Sequence, residues 1–252
     1  MKGLELSEKY YLEYGKKMLE TEFSDIEKYL AIGLFGSGSE CFGYDDEVSC
    51  DHDFEPGFCI FLPDESVIDS NTEFKLARAN AKLPNEFMGY KRTPVNPVGG
   101  NRYGVIRTAD FFRTKVGKED GMLTDKEWLT IPSFYLAEAT NGKIYKDEFG
   151  LVTSIRKNLS EMPRDVKLKK IAGNLLLMAQ AGQYNYERCL SHGEKAASQL
   201  AVNEFVNAAM ETLFLLNGKH MPFYKWSFRA LKDLEFGKEL YGNLESLLFG
   251  DK

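Results

Sequence analysis

Two short apolar runs, separated by a stretch rich in glycine and carboxylates, constrain the fold of this chain more than any other feature. Residues 30–35 (LAIGLF) lead into the sequence Gly36-Ser37-Gly38-Ser39, and residues 57–62 (GFCIFL) follow Asp51 and Asp53. Short apolar runs bounded by turn residues are typical of buried strands. The pattern predicts a strand, a glycine-serine turn, a short link and a second strand, with two carboxylates at the entrance of the second strand.

The two carboxylates and the turn suggest a specific chemistry. Side chains alternate between the two faces of a strand, so we expect Asp51 and Asp53 to project together and His52 to point to the other side. Paired carboxylates suit Mg²⁺ or Mn²⁺, which prefer oxygen ligands. Backbone amides at a glycine turn, with the hydroxyls of Ser37 and Ser39, can donate hydrogen bonds to phosphate. These residue types indicate a divalent cation and a polyphosphate.

Acidic residues are concentrated around this stretch. The net charge of the 252-residue chain is −6, and seven carboxylates but no basic residue lie between Glu40 and Glu55. A bound cation would relieve the repulsion within such a cluster, although a solvated acidic loop explains it equally well. An acidic chain without a basic stripe is not typical of proteins that bind duplex nucleic acid.

The composition also bears on the cellular compartment. The chain has no uninterrupted apolar stretch of the roughly 18 residues that a membrane-spanning helix needs, and the N-terminal sequence lacks the apolar segment of a signal peptide. Its four cysteines form no CxxC pair, which argues against a disulfide framework and a zinc site. We therefore expect a cytoplasmic protein without a membrane partner.

The rest of the sequence predicts one further strand, a small hairpin and mostly helices. In the first half, apolar periodicity and turn residues predict helices at 6–28, 64–82 and 109–116, a loop at 84–101 and a strand at 103–108. In the second half they place short helices at 125–130 and 132–140, a hairpin at 143–153, and long helices at 165–190, 193–217 and 223–249. This predicts an α+β fold, with a small mixed β-sheet domain and flanking helices at 1–122 followed by a C-terminal helical bundle at 123–252.

The order of an apolar strand, Gly-Ser, a gap of roughly ten residues and Asp-x-Asp resembles the signature of the DNA polymerase β-like nucleotidyltransferase superfamily. Thirteen residues separate Ser37 from Asp51, and eleven separate Ser39 from it. The middle position of Asp-x-Asp is usually apolar in that superfamily and is His52 here. Further stretches resemble an uncharacterised bacterial branch of nucleotidyltransferase-like proteins: WLTIP at Trp128, ATNGKIYKD, LKKIAGNLLLMAQAGQYNYERCL and PFYKW.

The resemblance implies a metal-dependent transfer of a nucleoside monophosphate from an NTP to a hydroxyl acceptor. Asp51 and Asp53 would hold Mg²⁺ or Mn²⁺, and Gly36 to Ser39 would bind the phosphates together with Lys225. An equal alternative is that Lys225, next to Trp226 in the sequence, extends along the aromatic ring to reach solvent. A small-molecule acceptor is expected, because the arrangement resembles antibiotic-modifying nucleotidyltransferases; a protein or tRNA acceptor stays open.

The superfamily usually supplies a third carboxylate from a later strand, and here the sequence departs from it. The corresponding strand, 104–107 (GVIR), contains no acidic residue. Glu194 from the helical half is the candidate for the missing base, and Asp110 is a second candidate whose ordinary role is that of a first-turn carboxylate of a helix. Arg107 would pair with Asp51 or Asp53, or face solvent. Without a third carboxylate the chain would be a nucleotide sensor instead of a transferase.

Overall fold

The computed structural model describes residues 1–48, 55–92 and 102–249. It has a mixed α+β fold that is 60% helical, with a small four-stranded mixed sheet and flanking helices, as the sequence predicted. The contacts divide the chain into two compact units, which we call the first unit (1–122 with 138–159) and the second unit (123–137 with 160–252). Residues 138–159, which the sequence assigned to the helical half, therefore pack within the first unit.

The strands all belong to the first unit. They are β1 (Ala31–Leu34), β2 (Cys59–Leu62), β3 (Glu86–Phe87), β4 (Tyr90–Lys91), β5 (Gly104–Arg107) and β6 (Lys143–Asp147). The main sheet has the order β5-β2-β1-β6, and β3 pairs with β4 in a separate two-stranded sheet. In the main sheet β1 is antiparallel to both β2 and β6, whereas β2 and β5 are parallel. The first and second apolar runs are thus adjacent central strands.

Both faces of the central strand β2 are buried, which explains why its sequence is continuously apolar. On one face Ile60 packs in a cluster with Tyr10 and Leu19 from the N-terminal helix. On the other face the ring of Phe61 stacks on Phe35, with 4.4 Å between the ring centroids. The apolar run therefore needs helices or loops on both sides of the sheet.

The helices of the first unit follow the predicted order with shifted ends. They are α1 (Gly3–Tyr10) and α2 (Lys16–Glu22), which a π-helical turn joins, then α3 (Ser70–Ala81), α4 (Thr108–Val116), α6 (Ser133–Thr140, which begins in the second unit) and α7 (Leu151–Ser160, which ends there). The helix predicted over 64–82 begins only at Ser70, because the carboxylate of Asp69 accepts a hydrogen bond from the backbone N–H of Thr72 at 2.7 Å and caps that end.

The predicted hairpin over 143–153 is wrong. Only β6 is a strand, and it pairs with β1, while the following residues form α7. The side chain of Asp147 accepts hydrogen bonds from the backbone N–H groups of Gly150 (3.0 Å) and Thr153 (2.7 Å). These bonds satisfy amides at the start of α7, so the chain turns into a helix instead of returning as a strand.

Within its described residues the second unit contains helices and no strand. They are α5 (Asp125–Thr130), α8 (Arg164–Met178), α9 (Tyr186–Ser191), α10 (Lys195–Leu216), α11 (Tyr224–Leu231) and α12 (Tyr241–Phe249). Thr124 and Glu127 form a capping box at the start of α5. The central helix α10 packs against α8, α9, α11 and α12. None of the helices that the structure describes is long and apolar enough to cross a membrane.

Candidate functional site

The glycine-serine turn directly follows β1 and has a backbone that favours glycine. Gly36 and Gly38 have φ values of +117° and +121°, a region that side chains with a Cβ rarely adopt. The side-chain amide of Asn141 holds the turn from the other side. Its Oδ1 accepts a hydrogen bond from the N–H of Gly36, and its Nδ2 donates one to the carbonyl of the same residue, both at 2.8 Å. The turn is therefore fixed to the segment that connects α6 and β6.

Ser37 contacts two other side chains, those of Glu138 and Lys115. Its hydroxyl donates a hydrogen bond to Oε2 of Glu138 at 2.8 Å and accepts one from the ammonium of Lys115, also at 2.8 Å. Lys115 and Glu138 form an ion pair of 2.5 Å, and their side chains are only 15% and 17% exposed. Ser37 itself is exposed. The serine hydroxyl therefore lies at the surface, in front of a half-buried cation and its counter-ion.

A second cation contacts the backbone of the turn. The guanidinium of Arg102 donates a hydrogen bond to the carbonyl of Ser37 at 3.1 Å and pairs with the carboxylate of Glu40. A Cβ at Gly38 would overlap this guanidinium and crowd the Glu40 carboxylate. The absence of a side chain at Gly38 is thus what lets Arg102 approach the backbone.

Arg156 supports Asn141 from within the first unit. Its guanidinium donates hydrogen bonds to the backbone carbonyls of Thr140 and Asn141, both at 2.5 Å, and lies 4.8 Å from the ring centroid of Phe35. Burial lowers the pKa of the Arg156 guanidinium to about 10, because the charged form loses hydration. The carbonyl groups at the end of α6 are therefore satisfied by a half-buried arginine.

Two of the seven carboxylates between residues 40 and 55 have counter-charges from elsewhere in the first unit. Glu40, whose exposure is 4%, pairs with Arg102. Asp45, whose exposure is 3%, accepts a hydrogen bond from the backbone N–H of Gly3 at 2.8 Å and lies 3.6 Å from the ammonium of Lys2. Asp45 thereby caps the start of α1, so these two residues do not need a bound cation.

The predicted metal ligands Asp51 and Asp53, together with His52, lie outside the described residues. In the ranges that the structure does describe, no group of three or more His, Cys, Asp or Glu side chains could hold a metal ion. The assignment of Mg²⁺ or Mn²⁺ to the two aspartates therefore stays a prediction, based on the preference of these ions for carboxylates.

The strand that should supply a third carboxylate, predicted at 103–108, is β5, and the structure pairs it with β2. The guanidinium of Arg107 at its end donates hydrogen bonds to Glu73 and to the backbone carbonyls of Pro63 and Ile68, all at 2.8 Å. The expectation that Arg107 faces solvent is wrong, since its side chain is 15% exposed and holds the start of α3. Its pairing with Asp51 or Asp53, which lie outside the described residues, stays a prediction. Asp110 pairs with Arg113 three residues later in α4 at 2.5 Å, as a first-turn carboxylate does.

Glu194 and Lys225 belong to the second unit. Glu194 is exposed, directly precedes α10 and makes no side-chain capping bond there. The ammonium of Lys225 lies 5.1 Å from the ring centroid of Trp226, the arrangement that the sequence offered as the alternative to a phosphate contact. Their roles as a base and as a phosphate ligand stay predictions.

Sequence reasoning missed four residues around the turn: Lys115, Glu138, Asn141 and Arg102. One signal was available for Asn141, because it belongs to the ATNGKIYKD stretch that resembles nucleotidyltransferase-like proteins. The Asn141-Gly142 pair indicated only the end of a helix. In the structure a Cβ at Gly142 would overlap the carbonyl of Leu34 at the end of β1, so this pair also brings the two segments together.

Residues 128–227 match a family described as a domain of unknown function (DUF4037). The matched segment is less than half of the chain, and it contains Glu138 and Asn141 of the first unit as well as Glu194 and Lys225 of the second. No curated protein and no solved structure matches the chain.

Proposed function

We propose that this protein is a metal-dependent nucleotidyltransferase that moves a nucleoside monophosphate from an NTP to a hydroxyl group, with a small molecule as acceptor. The observation that carries the proposal is the environment of Ser37. An exposed hydroxyl on a glycine turn with positive φ values accepts a hydrogen bond from Lys115, and the carbonyl of the same serine accepts one from Arg102. Such a combination of hydroxyl, backbone amides and cations is suited to a polyphosphate.

Each group of residues has a separate role in the proposed reaction. The turn from Gly36 to Ser39 would bind the phosphates, and Lys115 would neutralise part of their charge. Asp51 and Asp53 would hold Mg²⁺ or Mn²⁺, which when bound supplies charge neutralisation for the leaving pyrophosphate and a lowered pKa for the acceptor hydroxyl. In this proposal Glu194 accepts the acceptor's proton, and Lys225 provides a further phosphate contact.

A second candidate function is nucleotide binding without transfer. It is favoured by β5, which lacks an acidic residue and whose Arg107 is committed to Glu73 and to two backbone carbonyls. A chain that binds NTP but lacks a third carboxylate would report nucleotide levels to a partner. Transfer to a protein or to tRNA is the remaining variant, in which the helices of the second unit would contact that partner.

The proposal is tested by incubating the protein with each labelled NTP and Mg²⁺ or Mn²⁺, with and without a cell extract, and following label transfer and pyrophosphate release. We expect transfer that requires the divalent cation and falls to background in Asp51→Asn and Asp53→Asn. Asp46→Asn is the matched control, because it removes one charge from the same acidic segment at an exposed residue, whose carboxylate accepts a local hydrogen bond from the backbone N–H of Val48 at 3.2 Å.

The outcomes separate the candidate functions. Transfer that persists in both Asp51→Asn and Asp53→Asn would contradict the assignment of these residues. Saturable NTP binding without turnover in the wild-type protein would favour the sensor. Label recovered on a metabolite, on a protein or on RNA would identify the class of acceptor.

A further inference from the structure

The two groups that would contact phosphate, the Ser37 hydroxyl and the Lys115 ammonium, both contact the carboxylate of Glu138. Oε2 of Glu138 lies 2.8 Å from the Ser37 hydroxyl and 2.5 Å from the Lys115 ammonium, and these two are 2.8 Å apart. A serine hydroxyl has one proton to donate, and here that proton is donated to Glu138. In this arrangement Ser37 cannot donate a hydrogen bond to a phosphate oxygen.

The charges of these groups balance without a ligand. Lys115 is half-buried beside the ring of Phe111, 5.9 Å from its centroid, and its charge is compensated by the equally half-buried Glu138. An ion pair that is largely shielded from water interacts more strongly than an exposed one. A phosphate group that approaches Ser37 would therefore meet a cation whose charge is already neutralised and a carboxylate that repels it.

We infer that Glu138 is an internal competitor for the polyphosphate, which occupies the positions of a phosphate oxygen at Lys115 and Ser37 until the ligand displaces it. This deepens the proposed function, because it rests on the binding of an NTP at the same turn. On binding, the hydroxyl of Ser37 and the ammonium of Lys115 turn from the carboxylate to phosphate oxygens, and Glu138 moves towards solvent. Glu138 therefore lowers the affinity of the site for polyphosphate.

The test measures the binding of inorganic tripolyphosphate by isothermal titration calorimetry, at low ionic strength and with a chelator in place of divalent cations. Glu138→Gln keeps the size of the side chain and removes its charge, so we expect binding to tighten about tenfold, within the usual range of coupling between two sites. In the double variant Lys115→Gln/Glu138→Gln, which removes both charges of the ion pair, this gain should be lost.

Glu13→Gln is the matched control for the charge change. Glu13 forms an exposed helical pair with Lys17, 3.2 Å away, in the same unit. Its removal changes the net charge of the protein by the same amount, and we expect less than about a twofold effect on binding because exposed charges are screened. Melting temperatures from circular dichroism establish that all variants are folded at the temperature of the titration.

Three results would overturn the inference. They are an affinity of Glu138→Gln equal to or weaker than that of the wild type, a gain that survives in the double variant, and the absence of saturable tripolyphosphate binding in every variant. These measurements need neither turnover nor the two aspartates. A protein that gains affinity in Glu138→Gln but shows no aspartate-dependent transfer would refute the proposed function and leave the internal competitor in place.

Discussion

Replacing Asn141 with alanine should destabilise the first unit, because this one side chain makes both hydrogen bonds that fix the backbone of Gly36. The N–H and the carbonyl of Gly36 are each 2.8 Å from the amide of Asn141, and Gly36 is buried. Alanine provides neither a donor nor an acceptor. Both backbone groups of a buried residue would then lose their partner from a segment more than 100 residues later in the chain.

The expected magnitude follows from these two bonds. A net hydrogen bond contributes about 1 kcal/mol, and a buried polar group left without a partner costs about 1–3 kcal/mol. Asn141 is itself only half-buried, so water can reach part of the vacated space and the lower half of the range applies. We expect a loss of about 2–4 kcal/mol in the free energy of unfolding, which for a chain of this size lowers the melting temperature by roughly 4–16 °C.

The measurement is urea denaturation of the wild type, Asn141→Ala and the control Asn158→Ala, followed by circular dichroism. Asn158 donates long hydrogen bonds, one of 3.3 Å to the carbonyl of Asp120 and one of 3.5 Å to the sulfur of Met122. We expect its replacement to cost less than about 0.5 kcal/mol. If Asn141→Ala were as stable as Asn158→Ala, the view that Asn141 fixes the turn would be refuted.

Two further predictions concern the turn and its surroundings. Gly38→Ala should cost about 2–4 kcal/mol, since alanine is strained at φ +121° and its Cβ would displace Arg102; Gly173→Ala in α8, where a Cβ meets no atom within 4 Å, should instead stabilise by up to about 1 kcal/mol. Equal effects in urea denaturation would contradict this. Stability should also fall as the pH rises above about 9. Burial raises the pKa values of two thiols and four phenols in the first unit above their ordinary values of 9.0 and 10.0. These groups are Cys41, Cys59, Tyr10, Tyr11, Tyr103 and Tyr145. The pKa of Cys59 rises to about 12. The unfolded chain loses these protons first, so urea midpoints should decrease from about pH 9 to about pH 10. Midpoints that are constant over this window would contradict the prediction, and the buried guanidinium of Arg156 opposes the trend only above its own pKa of about 10.

The sequence alone predicted the strands and helix starts that depend on interactions between neighbouring residues. The apolar runs predicted β1 and β2, and the run at 103–108 predicted β5, which the structure places at Gly104–Arg107. The capping residue Thr124 predicted the start of α5. Strong local signals of this kind depend on the spacing of apolar residues and on the residues of the first helical turn, both of which involve only a few neighbouring positions.

Local signals failed where the outcome depended on a competition between neighbours. Residues 143–153 have the composition of a hairpin, but Asp147 caps α7 and removes the second strand. The acidic segment likewise contains no basic residue, yet Arg102 and Lys2 reach its carboxylates from elsewhere in the chain. Charge counted along a sequence does not reveal which counter-charges the fold brings close.

The glycine-serine turn itself was predicted from the sequence, and the groups around it were decided only by the tertiary structure. Lys115, Glu138 and Asn141 lie 78, 101 and 105 positions away from the turn residues that they contact. Glu138 and Asn141 meet the turn because β6 pairs with β1, which places the end of α6 beside the end of β1. Lys115 instead comes from α4, which follows β5, the strand that pairs with β2. Strand order of this kind is set by packing over the whole sheet, since no short segment carries enough information to select its distant partner.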